Sequence, residues 1–269
     1  MSAHESPKRR QLRKALRALT NQVAGLKEHE FDVDQGRMHN INILPMDLEK
    51  ESNFSPTFFT TCPASLLLNP DDSYDRTAPA GFNEFDPNDT VFSQPIDCGR
   101  RMLDYFVHYT CNCVSYSGNE VLEGLWSPIS IGDKPFYSAG LGHHTFPEFV
   151  TIYVDQVKEG PYPHLKAMMY SNLNGTDGTI LRGEVSMALH LMIVQMRRAR
   201  FLDHMIAPVL LFSFMGPQHV RLVETYFDGS SVVARPSRPF DLRKKNEAAI
   251  KELGQWYFGK PVGNTKDCP

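Results

Sequence analysis

The N-terminal stretch of the chain carries a regular apolar pattern. Its apolar residues recur at alternating intervals of four and three, which is the spacing of the a and d positions of a helical heptad. They are Leu12, Leu16, Leu19, Val23 and Leu26. The pattern predicts an amphipathic helix from about Ser6 to Lys27. Because two heptads are marginal as an isolated coiled coil, the apolar side either pairs with a partner or docks on the protein's own domain.

The patterns change after Asp97. Residues 98–114 place apolar side chains on one helical face with Asp97 as the cap, although alternate residues also match a strand. Residues 149–157, FVTIYVDQV, are rich in β-branched and aromatic residues, which favours a strand. Residues 183–200 are apolar almost all around a helix. A helix of that kind is usually buried between a sheet and another layer.

The last third of the chain has the pattern of an antiparallel meander followed by a helix. An apolar strand (207–215) and an alternating strand (219–227) precede Asp228–Gly229, a pair typical of two-residue type I′ hairpin turns. A third strand and an amphipathic helix (244–259) follow. We therefore predict an α+β domain over residues 97–262, with a mixed or antiparallel central sheet flanked by helices.

The net charge of −3 conceals segments of opposite sign. Residues 1–27 hold seven Lys/Arg and one Glu, whereas residues 28–97 hold three basic and 14 acidic residues. Prolines and turn sequences crowd the acidic segment, and only residues 38–46 and 62–68 are apolar enough to anchor it to a core. Its negative charge could lie over the basic helix. The predicted organisation is a basic helix (1–27), an irregular acidic arm (28–96), a globular domain (97–262) and a tail (263–269).

Composition narrows the class of protein. Hydrophobic residues make up 41% of the chain, which is enough for a sizeable core. The longest apolar runs fall short of the roughly 20 residues that span a bilayer, and no apolar core follows the basic N-terminus as in a secretory signal. The five cysteines are an odd number without the spacing of a disulfide scaffold. These features predict an intracellular protein, cytoplasmic or nuclear, that is not secreted.

One stretch, PEFVTIYVDQVK at residues 147–158, suggests a chemical site. With the apolar helix and strand that follow, its layout resembles restriction-endonuclease-like domains, in which an (Asp/Glu)-x-Lys strand precedes a packed helix and a further strand. The resemblance implies that Glu148 and Asp155 bind Mg²⁺, which takes oxygen ligands. It also implies that Lys158 orients or activates the attacking water, with Glu184 as a further member of the catalytic site.

The spacing departs from that family's pattern. Two residues rather than one separate Asp155 from Lys158, and seven positions separate Glu148 from Asp155. A regular strand places the members of each pair on opposite faces. A β-bulge would change this, but no residue demands one. His143 and His144, in a glycine-flanked loop, are further candidates for metal binding, beside the simpler interpretation as loop residues.

A second resemblance concerns residues 207–242, which share the layout PVLLFSFxGP–VRxxExYFDG–VVxRPS with a set of uncharacterised filamentous-fungal proteins. The similarity spans residues 145–260 or so and implies a fungal intracellular protein, but it transfers no catalytic residue. Two hypotheses follow. The first is an interaction or regulatory protein without a cofactor, which contacts a protein partner or itself through the leucine side of the helix, or nucleic acid through basic residues 8–17. The second is a Mg²⁺-dependent nuclease-like enzyme.

Overall fold

The computed structural model describes residues 5–49, 52–70, 84–90, 93–116, 122, 124–129, 142–143 and 148–267. The helices are α1 (Pro7–Ala24), α2 (Val33–Met38), α3 (Pro95–Tyr116), α4 (Arg182–Met196) and α5 (Glu247–Tyr257). The strands are β1 (Glu30–Phe31), β2 (Ile41–Ile43), β3 (Trp126–Ile129), β4 (Gly142–His143), β5 (Phe149–Val157), β6 (Leu165–Ser171), β7 (Ile180–Leu181), β8 (Val209–Met215), β9 (His219–Phe227), β10 (Val232–Pro236) and β11 (Phe240–Asp241).

Nine of these strands form one mixed sheet in the order β2-β10-β9-β8-β6-β5-β3, with β11 beside one end of β9 and β4 beside one end of β5. The β2/β10 and β6/β8 pairs are parallel, and the others are antiparallel. Helix α4 connects β6 to β8, because parallel neighbours need a crossover rather than a tight turn. The predicted α+β class, with a mixed central sheet flanked by helices, is confirmed.

The sheet separates two hydrophobic cores. On one face, α1 and α4 pack over alternate strand residues such as Val154, Ala167 and Leu211. On the other face, α3 and α5 pack over Met168 and Phe212. Helix α4 is buried on nearly every side because α1 covers the side that faces away from the sheet. This arrangement explains why its sequence is apolar almost all around.

Helix α1 is docked on the protein's own domain. Ser6 caps it by accepting a hydrogen bond from the Arg9 backbone N–H at 3.2 Å, and Pro7 begins it. Its apolar residues are buried in the α1/α4 core, so this face is filled by the chain itself. They are Leu12, Leu16, Leu19 and Val23, with Leu26 partly buried beside them. Contact with a partner through this face would require α1 to leave the core.

The acidic arm is partly built into the domain. Ile41 and Ile43 of β2 are buried, and β2 forms one edge of the sheet beside β10. Cys62 and Leu67 of the second predicted anchor are also buried. Residues 58–67 pack on the α3/α5 face, whereas α1 lies on the opposite face. Residues 58–67 carry no acidic side chain, so the hypothesis that the negative charge of the arm covers the basic helix stays a prediction.

The hairpin between β9 and β10 differs in detail from the prediction. The Asp228 backbone N–H donates to the Ser231 carbonyl at 3.1 Å, so the central residues of the turn are Gly229 and Ser230 rather than Asp228 and Gly229. Of these two, only Gly229 has a positive φ, at 107°. A type I′ turn needs a positive φ at both central positions, and glycine at the first alone is typical of type II′.

Candidate functional site

Strand β5 contains a β-bulge between Thr151 and Tyr153. The bulge adds one residue to β5, so the alternation of its side chains reverses at this point. As a result, Glu148 and Asp155 fall on the same α3/α5 face of the sheet, whereas in a regular strand their odd separation would place them on opposite faces. The sequence placed them on opposite faces only for a regular strand, and the bulge that it left open is present.

Glu148 and Asp155 are nevertheless too far apart to share a metal ion. About six regular strand positions separate them once the bulge is discounted, which is about 20 Å at 3.3 Å per residue. Carboxylates that bind the same ion lie within roughly 4–6 Å of each other. Glu148 precedes β5, and its backbone N–H donates to Asn172 Oδ1 at 2.9 Å. Burial raises the pKa of Tyr170, and the Glu148 carboxylate contributes to that rise.

Asp155 belongs to a buried cluster with Lys166 and Tyr257. Asp155 and Lys166 are cross-strand neighbours on β5 and β6, and the Tyr257 hydroxyl donates to the Asp155 carboxylate. Burial raises the pKa of Asp155, whereas Lys166 and the hydrogen bond from Tyr257 act in the opposite direction. The Asp155 side chain is only 6% exposed, and its carboxylate already has Lys166 and Tyr257 as internal partners.

Lys166 holds the end of α5 on the sheet. Its Nζ donates to three carbonyl oxygens, those of Trp256 at 3.0 Å, Tyr257 at 2.7 Å and Gly259 at 2.9 Å. It also lies 3.9 Å from the centre of the Trp126 ring on β3. Burial lowers the pKa of Lys166 well below its usual range, yet three carbonyl acceptors match the three donors of an ammonium group. This buried lysine stabilises the junction of β3, β6 and α5.

The other two residues of the nuclease hypothesis lie elsewhere. Lys158 follows β5 and is exposed, and its backbone N–H donates to the Leu125 carbonyl at 2.9 Å. Glu184, in the first turn of α4 on the opposite face of the sheet, is fully buried and accepts hydrogen bonds from Arg221 at 2.9 and 2.6 Å. The structure therefore does not bring Glu148, Asp155, Lys158 and Glu184 together.

Metal-ligating residues are not clustered in the described part of the chain. Among those residues, no group of three or more His, Cys, Asp or Glu side chains is arranged to hold a metal ion. His143 belongs to the short strand β4, and His144 lies outside the described residues. A metal role for this histidine pair stays a prediction.

Basic side chains of α1 meet the C-terminal end of α4 around a cavity of about 280 Å³, here named the α1–α4 groove. Its lining residues are Arg10, Arg13, Lys14, Arg17, Ile193 and Arg197. All but Ile193 are cationic. The leucine spacing that buries one side of α1 leaves these basic residues on its outer side. They include most of the basic residues of the predicted 8–17 segment.

Arg9 fixes α1 against α4 and so positions the groove. Its side chain is only 1% exposed, although arginine is rarely buried. It donates to the carbonyls of Met196 at 2.6 Å and His204 at 2.9 Å, and to the Glu5 carboxylate at 2.7 Å. Helix α4 ends at Met196, not near residue 200 as predicted, so Arg9 supplies a cation where the helix dipole favours one. The contact holds the basic side of α1 next to Arg197.

The positive charge of the groove is only partly balanced. Glu5 pairs with Arg13 at 2.6 Å and lies 3.9 Å from Arg10. Lys14, Arg17 and Arg197 have no carboxylate partner among the described residues. Clustered charge of one sign along a concave surface focuses the field and raises the local concentration of oppositely charged ligands. The arrangement is suited to binding an anion.

Sequence reasoning missed the charged residues that hold the core together. Glu224 accepts hydrogen bonds from the backbone N–H groups of Thr57 and Phe58 and pairs with Arg235 at 2.9 Å, which ties the arm to the sheet. The others are Arg9, Lys166 and Arg221. The sequence did contain a signal, namely a charged residue inside an apolar strand, such as Arg221 in HVRLVETYF. A charged residue is rarely buried unless it is paired, so its place in such a strand indicates a buried partner.

Comparisons with protein-family models, with curated proteins and with solved structures gave no match. The resemblances to restriction-endonuclease-like domains and to filamentous-fungal proteins therefore stay predictions. No helix in the described ranges is both long and apolar enough to cross a membrane.

Proposed function

We propose that the protein is an intracellular interaction protein, cytoplasmic or nuclear, that binds nucleic acid through the α1–α4 groove. The observation that carries the proposal is the group of five cationic side chains around one cavity. Three of them, Lys14, Arg17 and Arg197, have no carboxylate partner in the described ranges. Like charges held close together repel one another, and the phosphates of a polyanion would relieve that repulsion.

The row of cations on α1 fits a phosphate backbone. From Lys8 to Arg17 the helix rises about 14 Å at 1.5 Å per residue. About four phosphates of one B-DNA strand cover that distance at 3.4 Å each along the helix axis. None of the residues that line the groove is aromatic, so base stacking does not contribute. Binding is therefore expected to depend on phosphates, to ignore base sequence and to weaken steeply with salt.

The geometry favours this contact over the alternatives. A nuclease-like enzyme with Mg²⁺ would need Glu148 and Asp155 around one ion, and these residues lie about 20 Å apart along the strand. A protein partner on the leucine side would have to compete with α4 for buried residues such as Leu16. The basic side of α1 is accessible without any rearrangement.

The test is fluorescence anisotropy with a labelled 20-base-pair duplex of arbitrary sequence in 50 and 200 mM KCl. The unmodified protein is compared with the double variant Lys14→Gln/Arg17→Gln, which removes two exposed cations of the groove. The matched control is Lys244→Gln/Lys260→Gln, which changes the net charge equally at exposed positions outside the groove.

We expect affinity of the unmodified protein to fall roughly 40-fold between the two salt concentrations, because about three phosphate contacts each contribute about 0.9 to the logarithmic salt slope. The Lys14→Gln/Arg17→Gln variant should bind more weakly, and its salt slope should be smaller by about 2. The control pair should bind like the unmodified protein. Equal loss in both double variants would show that only net charge matters, and an absence of binding would reject the proposal.

A further inference from the structure

A second concave surface lies on the α5 side of the molecule, remote from the basic groove. Two cavities of about 690 Å³ each adjoin there. One lies between residues 55–61 of the arm and α5. The other lies between residues 45–49 with Phe54 and residues 237–240. Both are lined by Leu48, Glu49 and Glu252. The combined surface is here named the arm–α5 groove, and its size suits a small organic ligand.

Glu252 is the distinctive residue of this groove. It lies in the middle of α5 and is half-buried, and burial raises its pKa. No described side chain or backbone group donates a hydrogen bond to its carboxylate or forms an ion pair with it. Glu49 is exposed at the boundary of the two cavities and likewise has no ion-pair partner in the described ranges. Two carboxylates that have no ion-pair partner among the described residues therefore face a shared concave surface.

Two cations, Lys251 and Arg238, also line the groove. Lys251 donates from its Nζ to Asn69 Oδ1 at 2.7 Å. Arg238 lies 3.7 Å from the Asp177 carboxylate, and its side chain is 90% exposed. Neither forms an ion pair with Glu252. The described lining holds three carboxylates, Asp47, Glu49 and Glu252, against these two cations, so its net charge is slightly negative, in contrast to the α1–α4 groove on the opposite face of the sheet.

Apolar and aromatic side chains make up much of the remaining surface. They are Met46, Leu48, Phe54, Phe59 and Trp256. The Trp256 side chain is only 5% exposed. Its indole N–H has no hydrogen-bond partner among the described residues. A carboxylate beside aromatic rings is the chemistry that recognises a cation on an apolar body, because the rings attract the cation and bury the rest of the ligand.

We propose that the arm–α5 groove binds a small organic cation, a primary amine carried on an aromatic or aliphatic body. The Glu252 carboxylate pairs with the ammonium group, Glu49 adds negative charge at the entrance shared by the two cavities, and the apolar side chains contact the body of the ligand. The proposal does not depend on nucleic-acid binding, since the α1–α4 groove lies across the sheet.

The test is a titration followed by ¹H–¹⁵N NMR, and the chain supplies its own probe. It has two tryptophans, so the spectrum holds two indole N–H signals, which a Trp256→Phe variant assigns. Trp256 lines the groove, whereas the Trp126 indole N–H donates to the Gly259 carbonyl at 2.7 Å and serves as a reference for folding. The ligands are 2-phenylethylamine, its neutral analogue 2-phenylethanol and the anion 3-phenylpropionate.

We expect 2-phenylethylamine to shift the Trp256 signal saturably, and to bind at least tenfold more tightly than either analogue. Glu252→Gln should weaken amine binding at least tenfold while leaving 2-phenylethanol unaffected. Glu247→Gln, on the same helix and outside the groove, is the matched control and should bind the amine normally. An unchanged Trp126 signal verifies that each variant is folded. Equal affinity for amine and alcohol, or normal amine binding by Glu252→Gln, would overturn the proposal.

Discussion

Arg221 and Glu184 form a doubly hydrogen-bonded ion pair between β9 and the first turn of α4, and both side chains are completely buried. Arg221 also donates to the carbonyls of Thr176 and Thr179 in the loop before α4. Glu184 in turn accepts from the Leu181 backbone N–H at 2.8 Å. The pair therefore fixes the start of α4 and the preceding loop on the sheet.

The first prediction concerns this pair. Glu184→Gln should lower the free energy of unfolding by about 3–5 kcal/mol, because Arg221 would remain as an uncompensated buried charge. Urea unfolding followed by circular dichroism measures the change. The control is Glu159→Gln at an exposed position, which should change stability by less than about 0.5 kcal/mol. Normal stability of Glu184→Gln would show that the carboxylate is not structural.

A second prediction concerns Lys166, whose removal leaves three carbonyls and Asp155 without their partner. Lys166→Met should destabilise the protein by about 3–5 kcal/mol, whereas Lys158→Met at an exposed position should change stability little. Adding Asp155→Asn should recover part of the loss, because the uncompensated carboxylate is then gone. A double-mutant cycle from urea unfolding gives this coupling, and strictly additive effects would contradict the proposed contact.

The third prediction separates the two roles considered for the leucine side of α1. Leu16 is 1% exposed, and Leu16→Ala should lower the free energy of unfolding by about 2–5 kcal/mol. Leu26→Ala provides the same chemical change at a partly buried position and should cost less. Light scattering should give the same mass for both variants and the unmodified protein. A lower mass for Leu16→Ala with undiminished stability would instead indicate that this side joins two chains.

The fourth prediction is a pH dependence from His164. Burial lowers the pKa of this histidine to about 4, against about 6.5 in an unfolded chain. Between these values the unfolded chain binds a proton that the folded chain does not. The free energy of unfolding should therefore fall as the pH drops from 6.5 to 4, with a contribution on the order of 3 kcal/mol.

The measurement for His164 compares urea unfolding at pH 4.5 and 7. His164→Phe keeps an aromatic ring beside Phe58 and Phe59 but removes the titrating group and its hydrogen bond to the Val262 carbonyl at 2.9 Å. The variant should be less stable at pH 7, yet its stability should change less between the two pH values. A pH dependence as steep as that of the unmodified protein would assign the effect to other groups.

Helices α1 and α5 were predictable because each buries one side repeatedly. In α1, the spacing of Leu12, Leu16 and Leu19 indicates a buried surface, and the structure places all three in the core. The same spacing, however, fits an internal partner and an external one equally well. The burial of these leucines against α4 distinguishes the two, and that contact joins residues remote in sequence.

The pairing of the strands was harder to predict from the sequence. Strand β6, LKAMMYS, contains no β-branched residue, so local propensity does not indicate it, although it lies between β5 and β8 in the sheet. The bulge of β5 depends on its register with β6. Because the faces of Glu148 and Asp155 follow from that bulge, the candidate site could not be judged from the sequence of β5 alone. The basic residues of α1 were visible, but their meeting with Arg197 was not.

The contact between Arg9 and the His204 carbonyl spans 195 positions of the chain. A ribosome that adds about 5–20 residues per second needs roughly 10–40 s to cover that distance. During this interval the newly made α1 has neither α4 nor residue 204 to cover its leucines. Nascent chains interrupted before α4 are therefore expected to expose the leucine side of α1. Pairing between chains through this side is expected in those fragments rather than in the finished protein.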